Sequence, residues 1–308
     1  MSVILGLDVG GTKLAAGLVR ADGSLIAHEI RPTVADGSAQ ALWEDVEDLI
    51  ETLLRSTNED YIAVGIGSGG PMVWPDGRVS PVNIPAWRDY PLKEQMRQRF
   101  AGDRPIAIHN DAIALALAEH RWGAGRGTQN MLGMVVSTGV GGGLILNGRR
   151  IDGHSGNAGH VGHIVAEYDG PLCNCGGRGC VERIARGPSI VAYAVELGWA
   201  GEQTGTALAQ GARAGDEAAV RAFARAGRAV GIAIASMAAA VDLELVVIGG
   251  GIAQSGEVFF VPVREAFDEH AGMAFVRECR IVPAQLGYLA GISGAAAVVI
   301  DALESEFD

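Results

Sequence analysis

Three glycine-rich turns constrain the fold of this chain more than any other feature, because each one directly follows a short apolar segment. The turns span residues 10–13, 137–143 and 249–251, and the apolar segments before them span residues 3–9, 130–136 and 245–248. Segments of this length that are apolar nearly throughout are typical of buried strands. The sequence therefore predicts a mixed α/β protein in which glycine turns lie at strand ends.

The two halves of the sequence repeat the same order of elements. Near the N-terminus, strands joined by an Asp22-Gly23 hairpin turn precede a helix over residues 39–56 and a further strand. The second half opens in the same way, and a helix over residues 294–303 ends the chain. We expect two related α/β lobes around a cleft. The predicted lobes are residues 1–111 plus about 292–308, and residues 112–291.

Length and charge narrow the possible functions. The 308 residues exceed what one compact core usually holds, and 48% of them are hydrophobic. The net charge of -12 leaves no basic stripe for nucleic acid, so no nucleic-acid partner is expected. No export signal begins the sequence, and apolar runs such as residues 231–241 are too short to span a bilayer. We expect a cytoplasmic protein with no membrane partner.

Phosphate binding is the chemistry that the three turns share. Glycine lets the backbone approach a ligand closely and point successive N–H groups at phosphate oxygens. Thr12 and Thr138 add hydroxyl groups, Lys13 adds positive charge, and Asp8 could hold Mg²⁺ directly or through water. A single turn of this kind would more simply be a hairpin turn. Three turns at strand ends favour a nucleotide site.

The cysteines indicate a metal site. Three of the four cysteines, Cys173, Cys175 and Cys180, fall within eight residues and follow the segment that contains His160 and His163. Three thiolates and one imidazole complete a tetrahedral zinc shell and leave no open position, so the predicted Zn²⁺ is structural. His163 is the predicted fourth ligand in preference to His160. Cys279 stands apart and is expected to be an ordinary buried thiol.

The pair Asn110-Asp111 lies between a predicted strand at residues 106–108 and a predicted helix at residues 112–122. A carboxylate at the carboxyl end of a strand can take the proton of a substrate hydroxyl during phosphoryl transfer. Asp111 could equally be the N-cap of the helix. The residues alone leave both roles open.

These motifs together resemble a known superfamily. Residues 8–12, 137–143 and 247–251 are similar, in order, to the two phosphate motifs and the adenosine motif of the actin–hexokinase ATPases. Residues 158–187 resemble the signature of the ROK sugar kinases. The resemblance implies a two-lobed actin/hexokinase-like (ribonuclease H-like) fold and an ATP-dependent sugar kinase that uses Mg²⁺. ROK repressors carry an added N-terminal DNA-binding domain, for which the motif at Asp8 leaves no room.

The resemblance assigns roles residue by residue. Asp111 would be the catalytic base. Sugar-binding residues would be Gly69, Gly70, Asn83, Asn110, His160, His163 and Glu182. ATP-binding residues would be Asp8, Gly10, Gly11, Thr12, Lys13, Thr138, Gly139, Gly249, Gly250 and Gly251. Zinc ligands would be His163, Cys173, Cys175 and Cys180. The family also implies a homodimer or a dimer of dimers.

His160 is where the sequence departs from the family pattern, because most members have Glu at this position. Histidine here is similar to bacterial N-acetylmannosamine kinases, whereas residues 85–88 and 121–125 are similar to glucokinases. The sequence favours the 6-hydroxyl of N-acetylmannosamine as acceptor, with glucose as the alternative. A non-catalytic sugar-sensing protein and a zinc hydrolase are the alternatives from other classes. The complete motifs argue against the first, and the closed metal shell argues against the second.

Overall fold

The structure, a computed structural model, describes residues 2–35 and 37–305. The chain divides into two compact units. The first unit comprises Met1–Arg126, Asp152–Ala158 and Gln285–Asp308, and the second comprises Gly127–Ile151 and Gly159–Ala284. The helix that begins at Asp111 belongs to the first unit, whereas the sequence analysis started the second lobe at residue 112.

The chain contains runs of consecutive strands and runs of consecutive helices. The strands are β1 (Val3–Val9), β2 (Lys13–Arg20), β3 (Leu25–Pro32), β4 (Ala63–Ser68), β5 (Met72–Val73), β6 (Arg78–Val79), β7 (Ile106–Asn110), β8 (Met131–Val136), β9 (Val140–Leu146), β10 (Arg149–Ile151), β11 (Leu245–Gly249) and β12 (Arg280–Pro283). The α-helices are α1 (Ala39–Arg55), α2 (Leu92–Met96), α3 (Asp111–Trp122), α4 (Val181–Ala185), α5 (Gly187–Glu196), α6 (Gly205–Arg213), α7 (Glu217–Val241), α8 (Glu257–His270), α9 (Ala274–Arg277) and α10 (Ala290–Ser305). A π-helical turn at Arg97–Ala101 extends α2, and 3₁₀ turns lie at Val161–His163, Ala253–Ser255 and Gly287–Leu289.

The two units contain sheets of the same topology. The first sheet has the strand order β3-β2-β1-β4-β7, and the second has the order β10-β9-β8-β11-β12. In each sheet the first three strands pair antiparallel and the last two continue in parallel. The duplicated order of elements expected from the sequence is therefore confirmed. In the first sheet a glycine turn joins the central strand β1 to β2, and in the second sheet a glycine turn joins the central strand β8 to β9.

Both faces of the first sheet are buried. Leu5 and Leu7 of β1 face the core that α1 covers, and Ile4 faces the opposite core, which includes Ile292 of α10. Helix α10 packs so close that a Cβ atom at Gly65 would lie 1.8 Å from the carbonyl oxygen of Ala295. Gly65 is the first glycine of a G-x-G-x-x-G sequence, a pattern that also occurs in dinucleotide-binding proteins. In this structure Gly65 allows α10 to pack closely against β4. Strands buried on both faces read as continuous apolar runs, as the sequence showed.

Helices α7 and α8 pack against each other and supply much of the core of the second unit. Two helical stretches, Glu217–Val241 and Gly287–Ser305, are long and apolar enough to cross a membrane by length and composition. The argument from the short run at residues 231–241 is therefore wrong for α7. Half of the apolar window of each stretch is buried inside the protein, where Val230 and Ile234 of α7 join the core.

Several elements differ from the sequence predictions. Residues 140–143 belong to strand β9, not to a turn, because Gly141, Gly142 and Gly143 pair in register with β8. The segment at residues 71–91, rich in Pro, Gly, Asn and Asp as a loop would be, contains the short β5–β6 hairpin, and α10 begins at Ala290, before residue 294. Helix α6 and helix α8, which carries Pro262 in its interior, were not predicted from the sequence.

Candidate functional site

The turn between β1 and β2 is held by its own backbone. The Gly10 N–H donates to the Lys13 carbonyl at 3.0 Å, and the Gly10 carbonyl accepts from the Thr33 hydroxyl at 2.7 Å. Thr12 is exposed at the tip. The Lys13 ammonium donates to the carbonyl oxygen of Tyr288 at 2.9 Å, which ties the turn to the segment before α10.

Asp8 and Asp111 lie at the carboxyl ends of β1 and β7, which flank β4 in the parallel part of the first sheet. Burial raises the pKa of Asp8 to about 7; the negative charge of Asp111 adds to the rise and Lys13 opposes it. Burial also raises the pKa of Asp111 to about 6, against a hydrogen bond from the Ala112 N–H. Two neighbouring carboxyls with raised pKa values are a common mark of a functional site.

Asn110, not Asp111, is the N-cap of α3. The backbone of Asn110 is extended, as in other N-cap residues, and its side-chain Oδ1 accepts a hydrogen bond from the Ala112 N–H at 3.0 Å. Asp111 Oδ1 also accepts from Ala112 at 2.8 Å, so this carboxyl oxygen is oriented by the first turn of the helix. The capping role that the sequence left open for Asp111 thus falls on its neighbour, and Asp111 is the first helical residue.

The predicted sugar-binding residues of the first unit lie beside these groups. A Cβ atom at Gly70 would lie 2.9 Å from Asn110 Nδ2, and one at Gly11 would lie 2.4 Å from the Cβ of Asn83. The Gly69 N–H donates to the Val9 carbonyl at 3.2 Å. The structure therefore brings the loop residues together with the Gly10–Lys13 turn and the Asn110–Asp111 corner.

His109 is a residue that the sequence analysis missed. Its Nε2 lies 3.0 Å from Asp152 Oδ1, and its Nδ1 accepts from the Asn110 N–H at 2.9 Å. The Trp74 ring stacks on the imidazole with a centroid distance of 5.6 Å. Its position immediately before the Asn110-Asp111 pair was a signal in the sequence, but the distant Asp152 could not be paired with it from sequence.

The second unit holds the other predicted phosphate turn. Here Glu182 Oε2 accepts from the Val140 N–H at 3.0 Å and lies 3.0 Å from where a Cβ atom at Gly139 would be. Thr138 is exposed beside it. Gly250, from the predicted adenosine motif, lies against the carbonyl of Val136 at the end of β8. The second and third glycine turns are therefore neighbours at the end of one sheet.

The predicted zinc ligands converge. One ligand atom from each of His163, Cys173, Cys175 and Cys180 lies within 4.8 Å of the other three. His163 Nδ1 is 3.9 Å from Cys173 Sγ, and Cys175 Sγ is 3.7 Å from Cys180 Sγ. Three thiols and one imidazole form a donor set suited to Zn²⁺. The described residues thus include a cluster that could hold a metal such as zinc.

His160 stands next to this cluster and does not join it. Its ring stacks on the His163 ring with a centroid distance of 5.1 Å and an interplanar angle of 15°. The His160 side chain is exposed. The preference for His163 over His160 among the candidate ligands agrees with this geometry.

Comparison with known proteins identifies the class of this protein. The ROK family model matches residues 4–302. A glucokinase of Thermotoga maritima is 33% identical over 96% of both chains, and an N-acetylmannosamine kinase of Yersinia pseudotuberculosis is 38% identical over 80% of this chain and 82% of its own. The chain belongs to the ROK family.

A solved structure supports the same assignment at the level of fold. A ROK family glucokinase from Streptomyces griseus, in complex with glucose and AMPPNP, is 32% identical and superposes with a TM-score of 0.83. The alignment covers 97% of this chain and 99% of the other. The protein has the actin-like ATPase fold of the ROK hexokinases, as the sequence predicted.

Proposed function

We propose that this chain is an ATP-dependent sugar kinase that transfers the γ-phosphoryl group to the 6-hydroxyl of a hexose or N-acetylhexosamine. The Asp111 carboxyl carries the proposal: burial raises its pKa to about 6, and it follows Asn110 in the unit that also holds Asp8. Membership of the ROK family and the named kinases among its relatives support this assignment.

In the proposed mechanism Asp111 takes the proton of the 6-hydroxyl as the oxygen attacks phosphorus. Oδ1 accepts the Ala112 N–H, so we assign the hydroxyl to Oδ2. A carboxyl with a pKa of about 6 is mostly ionised at neutral pH. It also holds a proton more firmly than an ordinary aspartate, which favours proton transfer in the transition state.

The nucleotide would be held by the glycine turns. Backbone N–H groups of Gly10 and Gly11 and the exposed Thr12 hydroxyl would bind phosphate oxygens, as would Thr138 and Gly139 of the second unit. The triglycine turn at residues 249–251 would accommodate the adenosine. Mg²⁺, held by Asp8, would neutralise phosphate charge. Lys13 stays bound to the Tyr288 carbonyl and contributes positive charge nearby.

Zinc would act structurally in this scheme. Its four ligands leave no position for a reacting water, so the metal would stiffen the loop that presents His163 and Glu182. Glu182 already binds the Val140 N–H through Oε2, and we assign Oε1 to a sugar hydroxyl. In this way one carboxylate would connect the sugar to the second phosphate turn.

The acceptor we favour is N-acetylmannosamine, and His160 is the reason. The exposed imidazole is available to a ligand and replaces an anionic carboxylate beside the C2 substituent that the family resemblance assigns to it. The relative named N-acetylmannosamine kinase is also more identical over its matched region, at 38%. The carbonyl oxygen of an acetamido group is a hydrogen-bond acceptor. It would be repelled by a carboxylate, which only accepts, and less by an imidazole, which can donate.

Glucose remains the second candidate, since a relative named glucokinase matches 96% of the chain. The glucokinase-like segments carry less weight than this match. Trp87 is fully buried and stacks on Tyr90, and Arg88 donates to carbonyls of its own loop, including Ile84. Trp122 packs against Gly23. These side chains build the scaffold, so their likeness to glucokinases says little about the sugar.

A panel of sugars tests the proposal. Release of ADP would be measured with glucose, mannose, N-acetylglucosamine and N-acetylmannosamine at equal concentrations, and we expect the highest kcat/KM for N-acetylmannosamine. A highest value for glucose would establish the second candidate. Sugar binding by calorimetry without turnover on any sugar would instead identify a sensor and contradict the kinase.

A single substitution tests the role of His160. We expect His160→Glu to shift preference toward glucose by about tenfold in the ratio of kcat/KM values, since it restores an anionic acceptor. His154→Glu, a change of the same kind at an exposed histidine of the first unit, serves as the control. An unchanged ratio in His160→Glu would remove this residue from substrate selection.

The oligomeric state and the cellular location are the last part of the proposal, and both are taken from the family resemblance. We propose a cytoplasmic homodimer or dimer of dimers. Sedimentation equilibrium at micromolar concentration would decide, and a species with the 31.9 kDa mass of one chain would contradict it.

A further inference from the structure

Glu119 is a buried carboxylate in an otherwise apolar stretch of α3. Its side chain has no exposed surface, and its helix neighbours Leu115, Ala116 and Ala118 are buried as well. Charged side chains are rarely fully buried unless they are paired, because desolvation penalises the ionised form. The residue also lies in the last turn of the helix, where negative charge is unfavourable. Stability alone would favour an apolar residue here.

Three backbone N–H groups compensate this carboxylate. Oε2 accepts from Ala124 at 2.8 Å, and Oε1 accepts from both Gln285 and Leu286 at 2.9 Å. The chain passes between the two compact units after Arg126 and after Ala284. The Glu119 carboxylate therefore joins two segments of the first unit. Each segment lies next to a point where the chain passes between the two units.

The second of these segments lies against the first phosphate turn. The Tyr288 carbonyl, two residues beyond Leu286, accepts from the Lys13 ammonium at 2.9 Å. A Cβ atom at Gly291 would lie 2.0 Å from Asp8 Oδ2, so the start of α10 contacts the Asp8 carboxyl directly. Residues 285–291 thus form a support behind Asp8 and Lys13, and Glu119 anchors its first two N–H groups.

We propose that Glu119 is a positioning residue for the nucleotide site: by binding the N–H groups of Ala124, Gln285 and Leu286, it fixes the segment that supports Asp8 and Lys13. This inference rests on the proposed function only in taking the Gly10–Lys13 turn as the phosphate site. It predicts that loss of the carboxylate weakens nucleotide binding and leaves sugar binding intact.

Two substitutions disturb the contact in different ways. Glu119→Gln preserves shape, but one of its two acceptors becomes an NH₂ donor that faces a backbone donor. Gly123→Ala keeps the Glu119 carboxylate itself unchanged, but the added Cβ would lie 2.0 Å from Oε2 and would push this oxygen out of its position. The φ of Gly123, −112°, is not in the left-handed region that favours glycine, and the three atoms nearest to the added Cβ all belong to Glu119. Displacement of Glu119 is therefore the main effect of the substitution.

Glu304→Gln provides the matched control. Glu304 is an exposed glutamate of α10 in the same unit, and its carboxylate pairs with Arg121. The substitution removes the same charge from the protein without touching residues 285–291. We expect this variant to bind nucleotide and sugar as the wild type does.

The experiment is calorimetric titration with MgADP and, separately, with the preferred sugar, together with hydrogen–deuterium exchange over residues 284–291. We expect Glu119→Gln and Gly123→Ala to bind MgADP about tenfold more weakly, to keep their sugar affinity within about twofold and to exchange faster in that segment. In the kinase assay KM for ATP should rise more than KM for the sugar.

Several results would overturn the inference. Unchanged MgADP affinity in the two variants would do so, as would an equal loss of nucleotide and sugar binding that follows a lower Tm. Failure of both variants to fold would assign Glu119 to stability alone. Because MgADP binding needs no sugar turnover, a wild-type protein that binds MgADP and phosphorylates no sugar would contradict the proposed function and still allow this test.

Discussion

Asp111 combines two physical conditions that an ordinary surface aspartate lacks. It is desolvated, which raises its pKa to about 6, and its Oδ1 is oriented by the Ala112 N–H at 2.8 Å. Asn110 Oδ1 accepts from the same N–H as the N-cap of the helix, and Oδ2 of Asp111 takes no part in this bond. The side chain is therefore held in place and left chemically available.

Replacement of this carboxylate should remove catalysis and leave the fold intact. We expect Asp111→Asn to lower kcat by about 10²- to 10⁴-fold, the usual contribution of a general base, with little change in KM for ATP. Asp103→Asn, an exposed aspartate of the same unit, is the control. Steady-state kinetics on the preferred sugar provide the measurement, and retention of most of the wild-type kcat would exclude Asp111 as the base.

The raised pKa also predicts a pH profile. A base must be ionised to act, so kcat/KM should fall about tenfold per pH unit below the pKa of Asp111, which is about 6. An aspartate of ordinary pKa would keep its activity to about pH 4. Measurement of kcat/KM between pH 5 and 8 would locate the limb, and a flat profile down to pH 5 would contradict the assignment.

At the scale of elements, the loop that carries Cys173, Cys175 and Cys180 is organised by its own backbone hydrogen bonds, which do not depend on a metal. The Cys173 N–H donates to the Gly177 carbonyl at 2.8 Å, and the Gly176 N–H donates to the Cys173 carbonyl at 3.0 Å. Glu167 anchors the loop to α7 through two hydrogen bonds from Arg225 at 2.9 and 2.8 Å. The metal would fix the remaining freedom of the side chains.

Removal of one thiolate tests that view. We expect Cys175→Ser to lose bound zinc, to lower Tm and to raise KM for the sugar about tenfold, because His163 and Glu182 lose their support. Cys279→Ser, at a buried cysteine outside the cluster, should retain zinc. Zinc content by atomic absorption and sugar kinetics would be compared, and full zinc retention by Cys175→Ser would contradict the predicted ligand set.

For the whole molecule, the carboxyls of Asp8 and Asp111 link stability to pH. Their folded-state pKa values, about 7 and about 6, both exceed the ordinary value of 3.8. The folded protein therefore binds more protons than the unfolded chain between about pH 4 and pH 7. The free energy of unfolding should fall as pH rises through this range and lie lowest above it.

Neutralising one of these groups should reverse that loss. Without magnesium and nucleotide, we expect Asp8→Asn to raise Tm by about 5 °C at pH 8 and to change it little at pH 4.5, where the wild-type carboxyl is protonated. Differential scanning calorimetry at both pH values would measure the difference. A Tm increase of equal size at both would show that the buried charge is not responsible.

Much of this protein could be predicted from local pattern. The buried strands, the duplicated order and the cysteine–histidine cluster follow from apolar runs and cysteine spacing, because those features act over a few residues. The strand β9 was misjudged at residues 140–143, since glycine favours a turn locally and only pairing with β8 makes it a strand. Helix α6 was also missed: its 9 residues are too few to form a stable helix alone, and it is held by packing against α7.

The sequence by itself determined most of the buried strands and the residue types that can bind a metal, because apolar runs and ligand chemistry are set by residue identity. Only the tertiary structure decided which of Asn110 and Asp111 caps α3, that His109 meets Asp152, and that Glu119 binds the N–H groups of Gln285 and Leu286. The contacts of His109 and Glu119 join residues far apart in the chain. Desolvation, which raises the pKa of Asp8 and Asp111, likewise arises only when the packed protein excludes water around them.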